Sequence, residues 1–200
     1  MNKTSISILT KAPEPGKVKT RFNLSNEETI KIYSEFLEMI YLTVNSTKFE
    51  ALWFIDGDPS CLKLDIKTGA LYIQKGDSLS DRIKHAFDIS KHLGFENTIV
   101  IGGDSPEISE LDFSDTAKIL ETKETQVVLG PTFDGGIYLL GQGLEASDKY
   151  LNDMIWSTKS VYDDLICNLD KEAISHVSKE FKHDIDTKED YLKYLQRTSD

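Results

Sequence analysis

The 200-residue sequence predicts an α/β fold: a mainly parallel sheet covered by helices on both faces. Three observations carry that prediction. Short apolar segments of strand character alternate with longer segments of helical period, and strands separated by helices require crossover connections, which make their pairing parallel. No repeat, low-complexity tract or long linker breaks the alternation, so residues 1–200 read as one domain. Two glycine-containing polar segments, residues 11–21 and 102–106, follow directly on predicted strands, where open sheets of this kind bind ligands.

The elements follow in order. Residues 4–9 (TSISIL) alternate and read as the first strand. Ser25 and Glu28 form a capping-box pattern, and Tyr33, Phe36, Leu37, Ile40, Tyr41 and Val44 then recur with helical spacing. Residues 50–55 and 70–74 read as strands. Residues 78–93 read as a helix with Ile83, Ala86, Phe87 and Ser90 on one face. Residues 97–101 (NTIVI) form a short apolar strand, 109–121 a helix, 126–129 and 137–140 strands, 160–169 a helix, 173–178 a strand and 188–196 the last helix.

Composition bounds the function. The chain is 39% hydrophobic and 28% charged, as soluble globular proteins are, and has no apolar run approaching the roughly 18 residues of a membrane span. Its N-terminus lacks the apolar core and small-residue cleavage site of a signal peptide, so a cytoplasmic location is expected. The net charge of −11 argues against broad nucleic-acid binding, which needs a basic face. The two cysteines, Cys61 and Cys167, lie far apart without metal-ligand spacing and are expected to be reduced and buried.

Against that acidic balance, residues 11–21 (KAPEPGKVKTR) stand out. Lys11, Lys17, Lys19 and Arg21 face a single acid, Glu14. This is no P-loop: the position of its first glycine is Lys11, and Val18 stands where a magnesium-binding Ser or Thr is required. Pro13 and Pro15 stiffen the loop, Gly16 permits close backbone approach, lysines act as point charges on phosphates, and Arg21 suits bidentate binding. Thr20 belongs to the same segment. In residues 101–106 (IGGDSP), Gly102 and Gly103 let a nucleotide pass close to the backbone, and Asp104 offers a hard oxygen to a divalent cation, unless Asp104 or Ser105 merely caps the next helix. Residues 132–138 (TFDGGIY) fit a plain hairpin turn and a functional loop equally well. In residues 183–190 (HDIDTKED), Asp186 is a candidate second carboxylate for the metal, with Asp184 on the same face by alternation, while Asp186 or Thr187 also fits a helix cap. Trp156-Ser157-Thr158 reads either as a packed tryptophan before a capped helix or as a base- or sugar-stacking site. GxSxG, HExxH and GxGxxG patterns are absent.

KAPEPGKVKTR, GGDSP, FDGGIYLLG, WST and DIDT, in this order, resemble the small bacterial proteins regarded as glycosyltransferases of the nucleotide-diphospho-sugar transferase (GT-A) superfamily, long treated as a domain of unknown function. The resemblance spans residues 4–195 and implies a Rossmann-like three-layer α/β/α sandwich. It also implies that Lys11, Gly16, Lys19 and Arg21 bind the nucleotide and its phosphates, that Asp104 binds Mg²⁺ or Mn²⁺ with Asp186 completing the site, and that Asp134, Gly135 and Gly136 border an acceptor pocket. Residues 74–87 (QKGDSLSDRIKHAF) match the family's aspartate-leucine-x-x-arginine region with Ser78 inserted, which makes Arg82 a nucleotide or phosphate contact. Two departures stand out. Related guanylyl- and cytidylyltransferases open with a Gly-Gly-x-Gly loop, which here is rich in proline and lysine. The DxD pair of many glycosyltransferases is reduced to one carboxylate in GGDSP.

The expected activity is therefore a metal-dependent transfer from a nucleotide-activated donor, in first place a sugar moved from a nucleotide-diphospho-sugar to a small-molecule acceptor. Nucleotidyl transfer to a phosphorylated small molecule is the alternative, and non-catalytic nucleotide binding a third. Asp104 and Asp134 are the expected catalytic residues, the latter orienting the acceptor or taking its proton.

Overall fold

The computed structural model describes residues 3–67 and 70–198. The elements run β1 (Thr4–Lys11), α1 (Asn26–Ser46), β2 (Glu50–Asp56), β3 (Leu71–Ile73), α2 (Leu79–His92), β4 (Asn97–Gly102), α3 (Glu110–Glu121), β5 (Val127–Pro131), β6 (Ile137–Gly143), α4 (Val161–Lys171), β7 (His176–Ser178) and α5 (Lys188–Thr198). Seven strands form one sheet in the order β3-β2-β1-β4-β6-β5-β7. All neighbours are parallel except β6, which runs antiparallel to both β4 and β5.

Period-2 alternation divides the core between the two faces. On one side Ile6, Ile8, Trp53, Ile55, Ile99 and Ile101 pack under α1 and α3 through Tyr33, Leu37, Ile40, Phe113 and Ala117. On the other, Leu9, Leu52, Phe54, Val100 and Leu129 pack under α2 and α4 through Ile83, Ala86, Phe87, Leu165 and Leu169. These are the three layers that the sequence pattern and the resemblance predict. The capping box at Ser25 and Glu28 is formed, and Ser78 with Asp81 and Ser109 with Asp112 build two more. A third apolar cluster, Phe22, Phe36, Ile185 and Tyr194, seats α5 beside the turn that follows the basic loop.

Three expectations change. The last strand is shorter than 173–178, because Ala173 takes a left-handed φ of 53° and only His176–Ser178 pair with β5. The expectation of two buried cysteines fails: Cys61 is half-buried and Cys167 is exposed. Leu165 and Leu169 face the core on α4, and Cys167, midway between them, is turned to the opposite side. Finally, the cap of α3 is Ser109, so neither Asp104 nor Ser105 is used there.

Candidate active site

The topology gathers the polar segments at one edge. The basic loop follows β1 and GGDSP follows β4, at the carboxyl ends of parallel strands. Because β5 runs the same way as β1 and β4, the Thr132–Gly136 turn that follows it lies at that same edge. The segment after β7, which is parallel to β5, brings residues 183–187 there as well; an isolated bridge pairs Thr132 with Lys182. Together they enclose a cleft of about 670 Å³.

One wall is cationic. Lys11, Lys17, Lys19, Thr20, Arg21 and Arg82 all line the cleft. Glu14 braces the loop by accepting from the backbone N–H of Asp58 at 2.9 Å and pairing with Lys17 at 2.5 Å. Arg82 is aimed by Asp56, whose Oδ2 lies 2.8 Å from Nη1, and by Gln74, whose amide donates to the backbone oxygens of Thr10 and Phe54 at 2.9 and 3.0 Å. Lys19 is unlike the others. Its side chain is 3% exposed, and its ammonium lies 2.9 Å from Asp104 Oδ1 and 3.8 Å from Asp186 Oδ1. Arg21 pairs with Asp186 Oδ2 at 3.0 Å.

The facing wall is acidic. Asp134, Asp184 and Asp186 each present a carboxylate oxygen within 4.8 Å of the others. Asp134 Oδ1 accepts from the Thr132 hydroxyl at 2.5 Å and the Gly136 N–H at 3.2 Å, which fixes its rotamer. Thr187 makes reciprocal bonds with Asp190 at the start of α5, so the cap falls to Thr187 and leaves Asp186 to the cleft. Burial pushes the Asp184 carboxyl up to about 7; Lys19 opposes the shift, while Asp186 and Asp104 add to it. Trp156 lines the cleft with its ring nitrogen donating to the Ser80 hydroxyl at 2.8 Å.

Gly102, Asp104, Gly136 and Asp186 also line the cleft; Pro13, Gly16, Gly103 and Gly135 do not. Pro13 is buried in the loop and Gly16 supplies a left-handed φ of 70°. A Cβ at Gly103 would press on Thr10 and lie 3.0 Å from Leu37, so this glycine serves packing. Gly135 has φ +92°, and a Cβ there would collide with the Lys159 carbonyl, which joins the turn to the approach of α4.

By its helical spacing Tyr33 belongs to the apolar stripe of α1. It lines the cleft, and its hydroxyl bonds Thr10 Oγ1 at 2.5 Å and accepts from the Lys11 N–H at 3.2 Å, holding the end of β1. A lone polar tip within an apolar helical stripe gave no signal for that. Asp184 was placed beside Asp186 by alternation, but its membership of an acidic trio depends on the distant hairpin.

The sequence matches the family of uncharacterized proteins conserved in bacteria (DUF2064) over residues 47–158. The chain belongs to that family. The matched stretch holds the GGDSP, DGG and WST segments, and the basic loop and the 183–187 segment flank it in the same cleft. No curated protein matches this DUF2064 chain. Among solved structures it is similar to a candidate nucleotide-diphospho-sugar transferase from Desulfovibrio desulfuricans, at 25% identity and a TM-score of 0.85 over 99% of this chain and 88% of the other. It is also similar to a CMP:2-keto-3-deoxy-manno-octonic acid synthetase complexed with CTP, at 10% identity, TM-score 0.64 and 99% coverage of both chains. A Mycobacterium tuberculosis protein in complex with manganese matches at 12% identity and TM-score 0.55, over 98% of this chain and 99% of that one. The fold is that of nucleotide-using transferases. Among the described residues no helix is long and apolar enough to cross a membrane.

Proposed function

We propose that this protein is a divalent-metal-dependent glycosyltransferase, a single domain that moves a sugar from a nucleotide-diphospho-sugar to a small acceptor. The observation that carries the reading is the charge division of one cleft: five cationic side chains line one wall, and three convergent carboxylates stand opposite. A diphosphate needs the first and a hard divalent cation the second. The carboxylate oxygens of Asp134, Asp184 and Asp186, all within 4.8 Å of one another, fit the ligand span of Mg²⁺ or Mn²⁺; Asp104, the ligand first expected beside Asp186, is not one of this trio and pairs with Lys19 instead. When bound, such an ion neutralises charge on the departing diphosphate.

The protein's own groups do the rest. Lys11, Lys17, Arg21 and Arg82 hold the phosphates, and Gly102 lets the donor lie against the strand end. Asp134 orients the acceptor hydroxyl and takes its proton. Its Oδ1 is spent on Thr132 and Gly136, and its Oδ2 has no hydrogen bond among the described residues. Trp156 and Gly136 border the acceptor side, and Gly135 shapes the turn that carries Asp134. Nucleotidyl transfer is the second reading, favoured by the CTP-bound synthetase among the structural relatives.

Thermal unfolding against nucleotides and nucleotide sugars, with Mn²⁺, Mg²⁺ or chelator, tests the proposal. A ligand at about 100 times its Kd adds roughly 2.7 kcal/mol. We expect a metal-dependent rise in midpoint with one nucleotide sugar that is lost in Arg82→Ala and Asp186→Ala. No rise with any nucleotide would sink it.

A further inference from the structure

Resting on the transferase reading, the inference concerns Lys19. A lysine meant only for phosphate should extend into the cleft, yet this one is buried against its own carboxylates. Besides Asp104 and Asp186, its ammonium donates to the Ile185 carbonyl at 2.5 Å and lies over the rings of Phe22 and Phe36, 5.9 and 5.8 Å from their centroids. Its backbone adopts a left-handed φ of 43°, which a non-glycine residue holds only where the surroundings enforce it. A buried ion with a full set of partners is costly to uncouple. The carboxylates it occupies are the two that the metal site was expected to use.

We infer that Lys19 is an internal competitor of the divalent cation: it neutralises Asp104 and, together with Arg21, Asp186, so cation and phosphate bind as a pair and each binds weakly alone. Two positive charges cannot share the same carboxylate oxygens at contact distance without repelling. For the cation to bind, the Lys19 ammonium must turn away, and it then needs another anion. Lys19 lines the same cleft as Lys17 and Arg82, so a phosphate bound in that cleft is an anion to which it can turn. Phosphate thus relieves the loss that the cation imposes, and by linkage the coupling is reciprocal. A purely structural lysine would behave in the opposite way, because its removal would loosen the carboxylates and weaken every ligand.

The test measures Mn²⁺ affinity without any anion, by the electron paramagnetic resonance of free Mn²⁺, in the wild type, Lys19→Met and Lys19→Gln. Both variants are expected to bind Mn²⁺ about tenfold more tightly or better, the scale of one removed contact charge. Lys19→Gln keeps a donor for Ile185 and carries the test if Lys19→Met does not fold. Thermal midpoints with Mn²⁺, inorganic pyrophosphate and both complete it. In the wild type the joint shift should exceed the sum of the separate shifts, and in the variants it should not. Mn²⁺ affinity equal to or below that of the wild type in a folded variant overturns the inference. Failure of the transferase reading looks different: the wild type would respond to no nucleotide with metal, while tighter Mn²⁺ binding by the variants would still uphold the competition, which needs only the carboxylates.

Discussion

Asp184 shows how much one side chain depends on its surroundings. It is partly buried, accepts from the Ile185 N–H at 2.9 Å, and shares its neighbourhood with Asp186 and Asp104. Burial, with Lys19 offsetting it and the two carboxylates reinforcing it, raises its folded value to about 7, against about 3.9 for a free aspartate. Because the folded value lies above the unfolded one, the native state binds the extra proton between them. Stability from this group therefore falls as pH rises from about 4 to about 7 and levels off above that. We expect the metal-free protein to lose thermal midpoint across this window, and Asp184→Asn to lose less. Midpoints of both in chelator from pH 4.5 to 8 check it; identical slopes would show that the carboxyl does not titrate there. The sequence pattern puts Asp184 and Asp186 on one face, but not the burial of Asp184, because that depends on segments distant in sequence that meet at the cleft. The same holds for Lys19: its charge is plain in KAPEPGKVKTR, its 3% exposure is not.

At the scale of elements, the hairpin and the last helix place the acidic wall. The DGG turn connects β5 and β6, as one reading of the pattern had it, and holds Asp134 in the lining of the cleft. It lies at the edge that carries the cleft because it follows β5, which runs the same way as β1 and β4; that β6 then returns antiparallel is not encoded in local patterning, since an inserted antiparallel strand alternates like any other. Asp186 sits one residue before the Thr187 cap of α5, so the helix start fixes where its carboxylate points. Removing the cap should act on both stability and site. Thr187→Ala is expected to cost about 1 kcal/mol, a fall of about 2–4 °C in midpoint for a chain of this size, and to weaken metal-dependent nucleotide binding. A midpoint unchanged within error would show that Asp190 and the Phe22–Phe36–Tyr194 packing hold α5 without it. The strands and helices themselves were legible because apolar periodicity survives in both layers; the start of β7 was not, because Ala173 takes a left-handed backbone that its identity does not announce.

At the scale of the molecule, a chain of net charge −11 concentrates Lys11, Lys17, Lys19, Arg21 and Arg82 around one cleft and balances them there with carboxylates. That balance decides which reaction is expected. In glycosyl transfer the leaving group is a nucleoside diphosphate, and positive charge is needed on both phosphates. In nucleotidyl transfer it is pyrophosphate, and the attacked α-phosphorus must be wrapped by the first loop. Here that loop carries Pro13 and Pro15, one of them buried, and offers lysine heads more than a run of free backbone N–H groups. Such a wall grips a diphosphate from its sides and encloses an α-phosphate poorly. Phosphorus NMR of the protein with Mn²⁺ and a nucleotide sugar should therefore show nucleoside diphosphate accumulating, slowly with water as acceptor, and no pyrophosphate from a nucleoside triphosphate given a sugar phosphate. Asp134→Asn should slow that release by about 10²–10⁴-fold, the range for a positioned general base. Pyrophosphate release instead would assign the cleft to nucleotidyl transfer, and would mean that the cationic loop closes over the α-phosphate in spite of its prolines.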